Sequence, residues 1–291
     1  GYLSASIEWA GGGEGWRPFW RDAKSYYFIG KDNIVFHTLI WPAMLLGYGG
    51  LNLPYDVPAN EFLNLQGRQL STSRNWAVWL PDFLSRYQPD SLRYYLSANM
   101  PETADSDFSW PDFFQRNNNE LVATYGNLAH RVLTFVQRHY EGMVPVPQEL
   151  DSESQSLLAK AETAFATADG LLYHCHFREA IRSAMALAQE ANRYLEVKSP
   201  WKKVAQDKAE AGTALYVALA VISCLKTMLY PFLPFSSQKL HDMLGFTGEV
   251  GKGGWQWHKP QPGVKLPPPQ PLFFKLEDEA LAEEIARLGQ G

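Results

Sequence analysis

Cysteine is nearly absent from this chain: Cys175 and Cys224 are the only two in 291 residues. Two thiols cannot build a disulfide framework, so the fold is expected to rest on its core in a reducing, cytoplasmic compartment. Long apolar runs are also lacking. The richest stretch, Ala214–Ser223, falls short of the roughly 18 residues that a membrane span requires and is followed by Lys226, so no membrane partner is expected. Positive charge is not in excess: 26 Lys and Arg stand against 31 Asp and Glu, a net charge of −5. That balance argues against a non-specific polyanion binder and leaves room for a local basic patch in a specific nucleic-acid complex. With 46% hydrophobic residues, neither a disordered nor a fibrous chain is expected. The length suits one large domain or two of ordinary size.

What is present divides into two textures. Residues 1–25 are rich in Gly, Trp and Arg and show no clear period. Tyr26–Ile29 reads as a buried strand ended by Gly30. Ile34–Leu46 carries apolar residues at helical spacing, stopped by Gly47 with Gly49 and Gly50. Phe62–Leu65, a Gln66-Gly67 turn and Arg68–Leu70 form a hairpin that delivers a polar Ser-Thr-Ser loop at its end. Strand, helix and strand in this order predict a βαβ unit with a parallel sheet. From Pro81 onward the pattern is helical. A helix over Leu92–Met100 would be capped by Asp90 or Ser91. Asn119–Tyr140 places Leu121, Tyr125, Leu128, Val132 and Phe135 on one stripe. The pattern repeats over Ser152–Ala168, Phe177–Val197 and Lys202–Tyr230, which predicts a helical bundle. One more helix, Ser237–Leu244, a Gly/Pro-rich crossing over 249–272 and a charged helix Glu277–Leu288 complete the chain.

Several residue groups could carry chemistry, each with a plainer reading beside it. Gly30 at a strand's carboxyl end would let a ligand approach the backbone, the edge at which α/β sheets bind nucleotides. Asp32 could then accept both hydrogen bonds of a ribose diol, or it could simply cap the next helix. His37, on an apolar helix, could be a satisfied core residue. The run Gly67–Asn75 (Gly-Arg-Gln-Leu-Ser-Thr-Ser-Arg-Asn) could be only a polar turn. Asn127 and Arg131 share one helical face a turn apart. Their side chains suit the reading of base edges, and they equally suit an ordinary surface. His174-Cys175-His176 has the look of a metal box, but on a helix residues i and i+2 point about 200° apart, so no metal site is expected.

Taken in order, Phe28–His37, Trp41-Pro42-Ala43-Met44-Leu45 and the loop Gln69-Leu70-Ser71-Thr72-Ser73 resemble one family, the methionyl-tRNA synthetases. These are class I enzymes that hold the triphosphate of ATP with a Lys-Met-Ser-Lys-Ser loop. The resemblance runs on through Asn127-Leu128-Ala129-His130-Arg131 and Ala191-Asn192-Arg193-Tyr194 with Trp201. It closes with Pro231–Ser236, Gly263-x-Lys265-Leu266 and Pro271-Leu272-Phe273, and so covers essentially the whole chain. It implies an α/β plus all-α fold. Residues 1–115 would be the C-terminal half of a Rossmann-type catalytic domain, 116–245 a helical anticodon-binding domain and 246–291 a C-terminal extension.

The implied roles follow residue by residue. Gly30, Asp32 and Thr72 would bind ATP, with Mg²⁺ accompanying the nucleotide as substrate. Leu70, Ser71, Thr72, Ser73 and Arg74 would form the catalytic loop. Tyr2, Asn33 and His37 would bind methionine. Asn127, Arg131 and Trp201 would read the CAU anticodon of tRNA(Met), with a largely exposed Trp201 stacking on a base. The chain departs from the family at Gln69 and Thr72, where lysines are usual, and at Asn33, where an aliphatic residue is usual. Arg68, Arg74 or the magnesium ion would have to supply the missing charge. The family's His-x-Gly-His motif and its usual zinc-bearing insertion have no counterpart here. They are expected on a missing N-terminal half of the same enzyme, this chain being a fragment of a longer one or one subunit of a split enzyme, and zinc is expected only there. The intact enzyme would join methionine to ATP and pass the methionyl group to tRNA, by positioning and electrostatics rather than a covalent nucleophile. A class I synthetase for cysteine, leucine or valine, and a non-catalytic tRNA-binding module, are the alternatives.

Overall fold

The computed structural model describes residues 1–289. It contains two compact units: Gly1–Asn64 with Pro101–Ser106, and Leu65–Met100 with the residues from Asp107 onward.

In the first unit, α1 (Tyr2–Trp9) and α2 (Trp16–Arg21) contribute to a small core of Trp16, Trp20, Trp41 and Leu45. Strand β1 (Ile29–Gly30) pairs in parallel with β2 (Ala59–Asn60). The parallel partner is therefore not the hairpin strand expected from the sequence, and the ladder is only two residues long. Pro58, which immediately precedes β2, has no N–H to extend it. Nor is the strand region buried, since Phe28 is 51% exposed. Between the strands the expected helix forms, built in three pieces. A 3₁₀ turn over Lys31–Asn33 is followed by a π-helical turn over Phe36–Ile40 and by α3 (Trp41–Tyr48), which ends at Gly49. In the π turn, the Trp41 N–H reaches back five residues to Phe36 O. His37 is the one buried residue of that turn, on the same side as Trp41.

The hairpin of β3 (Leu63–Leu65) and β4 (Arg68–Gln69) forms as expected. Gln66 and Gly67 both have positive φ, +50° and +72°, the turn geometry that matches strand twist and that favours glycine. A strand not foreseen from the sequence, β5 (Ser106–Phe108), completes the order β4–β3–β5. Helices α4 (Leu80–Arg86), α5 (Pro89–Ala98) and α6 (Trp110–Arg116) supply an aromatic cluster in which Tyr95, Trp110 and Phe113 meet Phe108, while Phe83 and Tyr87 pack on Trp110 and Phe113. Helix α5 is capped by neither Asp90 nor Ser91, because the helix starts three residues earlier than expected, at Pro89, with Gln88 at the N-cap position. Asp90 instead accepts the Ser236 N–H at 2.6 Å, and Ser91 donates to Asn117 Oδ1 at 2.9 Å.

Helix α6 continues through a ten-residue π-helical stretch, Asn117–Gly126, into α7 (Asn127–His139). Leu121, Tyr125, Leu128 and Val132 are buried as expected, but Phe135 is only partly so and Val136 takes the core position. At Gly126, where the two helical forms meet, a Cβ would lie 2.8 Å from Leu121 O and 3.2 Å from the Phe273 ring. The bundle is completed by α8 (Ser152–Tyr173), α9 (Phe177–Lys198), α10 (Pro200–Lys203), α11 (Lys208–Leu229) and α12 (Pro234–Met243). The single helix expected over 202–230 is two helices, because Asp207 caps α11 by accepting from the N–H groups of Ala209 and Glu210. Contrary to the sequence expectation, α11 is long and apolar enough to match a membrane span by composition. Of its apolar window, 94% is buried inside the protein.

The crossing over 249–272 leads to α13 (Asp278–Arg287). Asn118 holds this segment by a reciprocal pair of bonds to Leu276, amide to carbonyl at 2.8 Å and carbonyl to N–H at 2.9 Å. The carboxylate of Glu284, on α13, accepts from Arg86 Nε at 2.7 Å, Arg86 Nη2 at 3.0 Å and the Tyr87 hydroxyl at 2.8 Å.

Candidate functional site

In the first unit, α1 and the π turn bring Tyr2 and His37 together. The Tyr2 hydroxyl lies 2.8 Å from His37 Nε2, and His37 Nδ1 lies 2.9 Å from Asn33 O. A carbonyl only accepts, so Nδ1 carries the proton and Nε2 accepts from Tyr2. The rings of Tyr27 and Trp41 close around this pair, at 5.5 and 5.8 Å from Tyr2, and the Trp41 indole donates to the Tyr27 hydroxyl at 2.9 Å. Burial pushes the Tyr27 phenol above its ordinary range, so it stays protonated and able to donate. The result is an aromatic cluster with polar tips, suited to an apolar ligand group. Asn33 enters through its backbone carbonyl, and its side chain is exposed. Tyr27 and Trp41 were not singled out from sequence as site residues, although Trp41 follows His37 by four and so shares its helical face.

Gly30 is exposed, with φ −80°, and an added Cβ would meet nothing within 4 Å. Neither backbone strain nor packing within this chain demands a glycine there. Asp32 sits in the 3₁₀ turn, exposed, and its side chain caps nothing. Lys31 beside it is held by Glu61 and Asp105. Of the three carboxylates and one cation around Gly30-Lys31-Asp32, Glu61 and Asp105 are engaged by Lys31, and the Asp32 carboxylate is the one left exposed to a ligand.

The loop after β4 is closed by a pair of backbone bonds between Ser71 and Trp76, each 2.9 Å. Within it, Asn75 N–H donates to Thr72 O at 3.1 Å, and Arg74 Nε donates to Ser71 Oγ at 3.2 Å. The Trp76 indole anchors the loop to Leu65 O at 2.8 Å, and the Arg68 guanidinium lies 4.9 Å over the Trp76 ring. Thr72 and Ser73 are exposed at the tip, as is Leu70 at its start. Arg68, Gln69, Arg74 and Trp76 line one concavity. Two arginines, Arg68 on β4 and Arg74 on the loop, thus stand near Thr72.

In the bundle, Arg131 and Trp201 meet. The guanidinium carbon lies 4.7 Å over the indole ring, and Nη2 donates to Asn192 Oδ1 at 3.2 Å. Asn127 stands a turn earlier on α7 with an exposed side chain. Trp201 is half-buried against the bundle core rather than largely exposed. Ser199, with φ +44°, turns the chain sharply after α9, and α10 then carries the ring onto Arg131. Burial lowers the Arg131 pKa from its ordinary value, and Nε is buried without a partner. Asn192, on α9, was quoted from sequence only as part of a motif. Its contact with Arg131 joins two motifs that the sequence keeps far apart.

Among the described residues, no group of three His, Cys, Asp or Glu side chains could hold a metal ion. His174-Cys175-His176 lies on the turn after α8, with Cys175 at φ +59°, rather than within a helix.

Comparison with known proteins bears on these clusters. Residues 1–133 match the family described as tRNA synthetases class I (M), and residues 144–290 match the anticodon binding domain of methionyl tRNA ligase. A methionine–tRNA ligase of Dehalococcoides mccartyi is 57% identical over 293 residues, covering 99% of this chain and 53% of the relative. One from Roseiflexus castenholzii is 50% identical, covering 99% of this chain and 55% of the relative. Among solved structures, Mycobacterium tuberculosis methionyl-tRNA synthetase in complex with methionyl-adenylate superposes with a TM-score of 0.84 at 29% identity. That match covers 94% of this chain and 54% of the other. The free-state structure of the same enzyme gives 0.81 at 28% identity, covering 95% and 54%. The chain spans about half the length of the curated relatives it matches, and it belongs to the methionyl-tRNA synthetase family.

Proposed function

We propose that the enzyme containing this chain activates methionine with ATP and transfers it to tRNA bearing the CAU anticodon. The observation that carries this reading is the convergence of Arg131 and Trp201, from separate helices, beside an exposed Asn127. A planar cation on an aromatic ring, next to a free amide, suits the recognition of unpaired bases. Asn127, Arg131 and Trp201 would take the anticodon. Tyr2 and His37 would take methionine, with Tyr27 and Trp41 as further walls. Gly30 and Asp32 would take the adenosine ribose. Leu70, Ser71, Thr72, Ser73 and Arg74 would face the triphosphate, whose magnesium arrives with the nucleotide as substrate.

In this reading residues 1–115 serve the nucleotide, 116–245 the tRNA, and 246–291 form an extension. Phe28, Val35, Leu39 and Met44 of the first unit are each more than half exposed. An apolar surface of that kind fits cover by a further, N-terminal half of the same enzyme. The proposed compartment is the cytoplasm. The bond chemistry needs no enzyme nucleophile, since positioned donors and cations stabilise charge on the departing pyrophosphate.

The test is methionine-dependent exchange of pyrophosphate into ATP by the enzyme containing this chain, together with charging of a CAU tRNA and an altered-anticodon variant. Exchange that depends on methionine, and a strong preference for CAU, are expected. Absence of exchange would instead favour a non-catalytic tRNA-binding module, the reading to which Thr72 lends support. The 291-residue chain alone is expected to show no exchange.

A further inference from the structure

We infer that Asn192 is a positioning residue that sets the Arg131 guanidinium for base reading, an inference that rests on the proposed anticodon role. The Asn192 amide cannot turn over. Its Nδ2 donates to Thr124 O at 3.0 Å and to Ala188 O at 3.1 Å, and both of these partners are carbonyls that only accept. Oδ1 is therefore fixed toward Arg131, whose Nη2 it receives at 3.2 Å. One of the two carbonyls belongs to the π-helical stretch before α7 and the other to α9 itself. The side chain thus ties together the two helices that carry Arg131 and Asn192.

The Arg131 head is then fixed on two sides, by Asn192 at Nη2 and by the Trp201 ring against its face. Among the described residues no carboxylate lies within ion-pair distance of Arg131, although the charge of Glu196 acts on it from farther away. Of its five N–H groups, Nε is buried and one Nη2 hydrogen is taken by Asn192. Three remain to meet a base edge. A long cation fixed before the ligand arrives need not be ordered on binding. Without Asn192 the guanidinium would keep the ring on one face but lose its in-plane orientation. That orientation is what a bidentate contact requires.

The experiment is a double-mutant cycle on the 291-residue chain, read as affinity for an RNA stem-loop with a CAU loop and for one with an altered loop base. Thermal melting of each variant monitors the fold. Asn192→Ala is expected to weaken CAU binding roughly tenfold and to narrow the preference, but to add less than about twofold in the Arg131→Ala background. Equal losses in both backgrounds would overturn the inference, because they would mark Asn192 as a support of the bundle only. If Arg131→Ala itself leaves the preference intact, the anticodon role falls and this inference falls with it. If Arg131→Ala abolishes the preference and Asn192→Ala does not, only the inference falls. Should Asn192→Ala not fold, Asn192→Ser takes its place, since its hydroxyl can donate to the Ala188 carbonyl one turn earlier but is too short to reach Arg131. A narrowed CAU preference is the supporting result, and a preference equal to wild type overturns the inference.

Discussion

The hydroxyl of Tyr2 meets Nε2 of His37 at 2.8 Å, while the opposite ring nitrogen is engaged by the carbonyl of Asn33. The carbonyl fixes the tautomer and the phenol reads it out. His37 is expected as the Nδ1–H form in nitrogen-detected NMR spectra of the folded chain. Tyr2→Phe should shift the Nε2 resonance while leaving Nδ1 protonated. A dominant Nε2–H form in the wild-type chain would contradict the arrangement.

Asp90 caps a helix other than its own. It lies in the first turn of α5, yet its Oδ2 accepts the Ser236 N–H of α12, and its Oδ1 is buried without a partner. Burial, the largest cause, raises its pKa above the ordinary value of 3.8. The native state therefore binds the proton more tightly than the unfolded chain does, and stability falls as pH rises from that ordinary value through the raised one. Asp90→Asn keeps the acceptor and removes the charge. It should match wild type in acid and gain on it as pH rises through that window, levelling off above. Asp90→Ala should lose the cap and cost about 1 kcal/mol or more by denaturant unfolding. An Asp90→Asn variant that trails wild type increasingly with pH would sink this account.

Much of the architecture was legible because helices announce themselves by period. α8, α9 and α12 lie close to where the spacing placed them, and Gln66-Gly67 gave the hairpin turn. The misreadings have physical causes. Tyr26–Ile29 is apolar enough for a core strand, but apolar composition does not reveal what covers it, and Phe28 is half exposed. The break at Asp207 was hidden because helical period continues on both sides of a capping residue. The contacts of Asp90 and Asn192 could not be read, since their partners Ser236 and Arg131 lie far away in sequence. The π stretch before α7 leaves no compositional mark, yet its Thr124 carbonyl helps to hold Asn192.

Trp201 shows how burial changes an expected outcome. A fully exposed tryptophan could be truncated within about 0.5 kcal/mol. Half-buried, with Arg131 on its face, it contributes to the bundle as well. Trp201→Ala should cost on the order of 1–2 kcal/mol in unfolding free energy, in addition to weakened binding of the CAU stem-loop. Trp201→Phe should recover most of the stability and only part of the binding. Unchanged denaturant midpoints for Trp201→Ala would place the ring outside the core.

In the proposed function Thr72 stands where a lysine would bring positive charge to the triphosphate, and it is exposed at the tip of its loop. Arg68 and Arg74 are close at hand, but each is already engaged, Arg68 over Trp76 and Arg74 on Ser71 Oγ. Neither is free to follow the phosphates without giving up a loop contact. In the enzyme containing this chain, Thr72→Lys should therefore raise the rate of adenylate formation by about tenfold, as one added charge acting on the transition state would. The KM for methionine should move much less, because the new charge meets the phosphates as they depart and not the amino acid. Pyrophosphate exchange at saturating methionine separates the two quantities. A flat or reduced rate would mean that an arginine already fills the role. In that case Arg74→Ala alone should cost rate, and Thr72→Lys should restore it in the Arg74→Ala background.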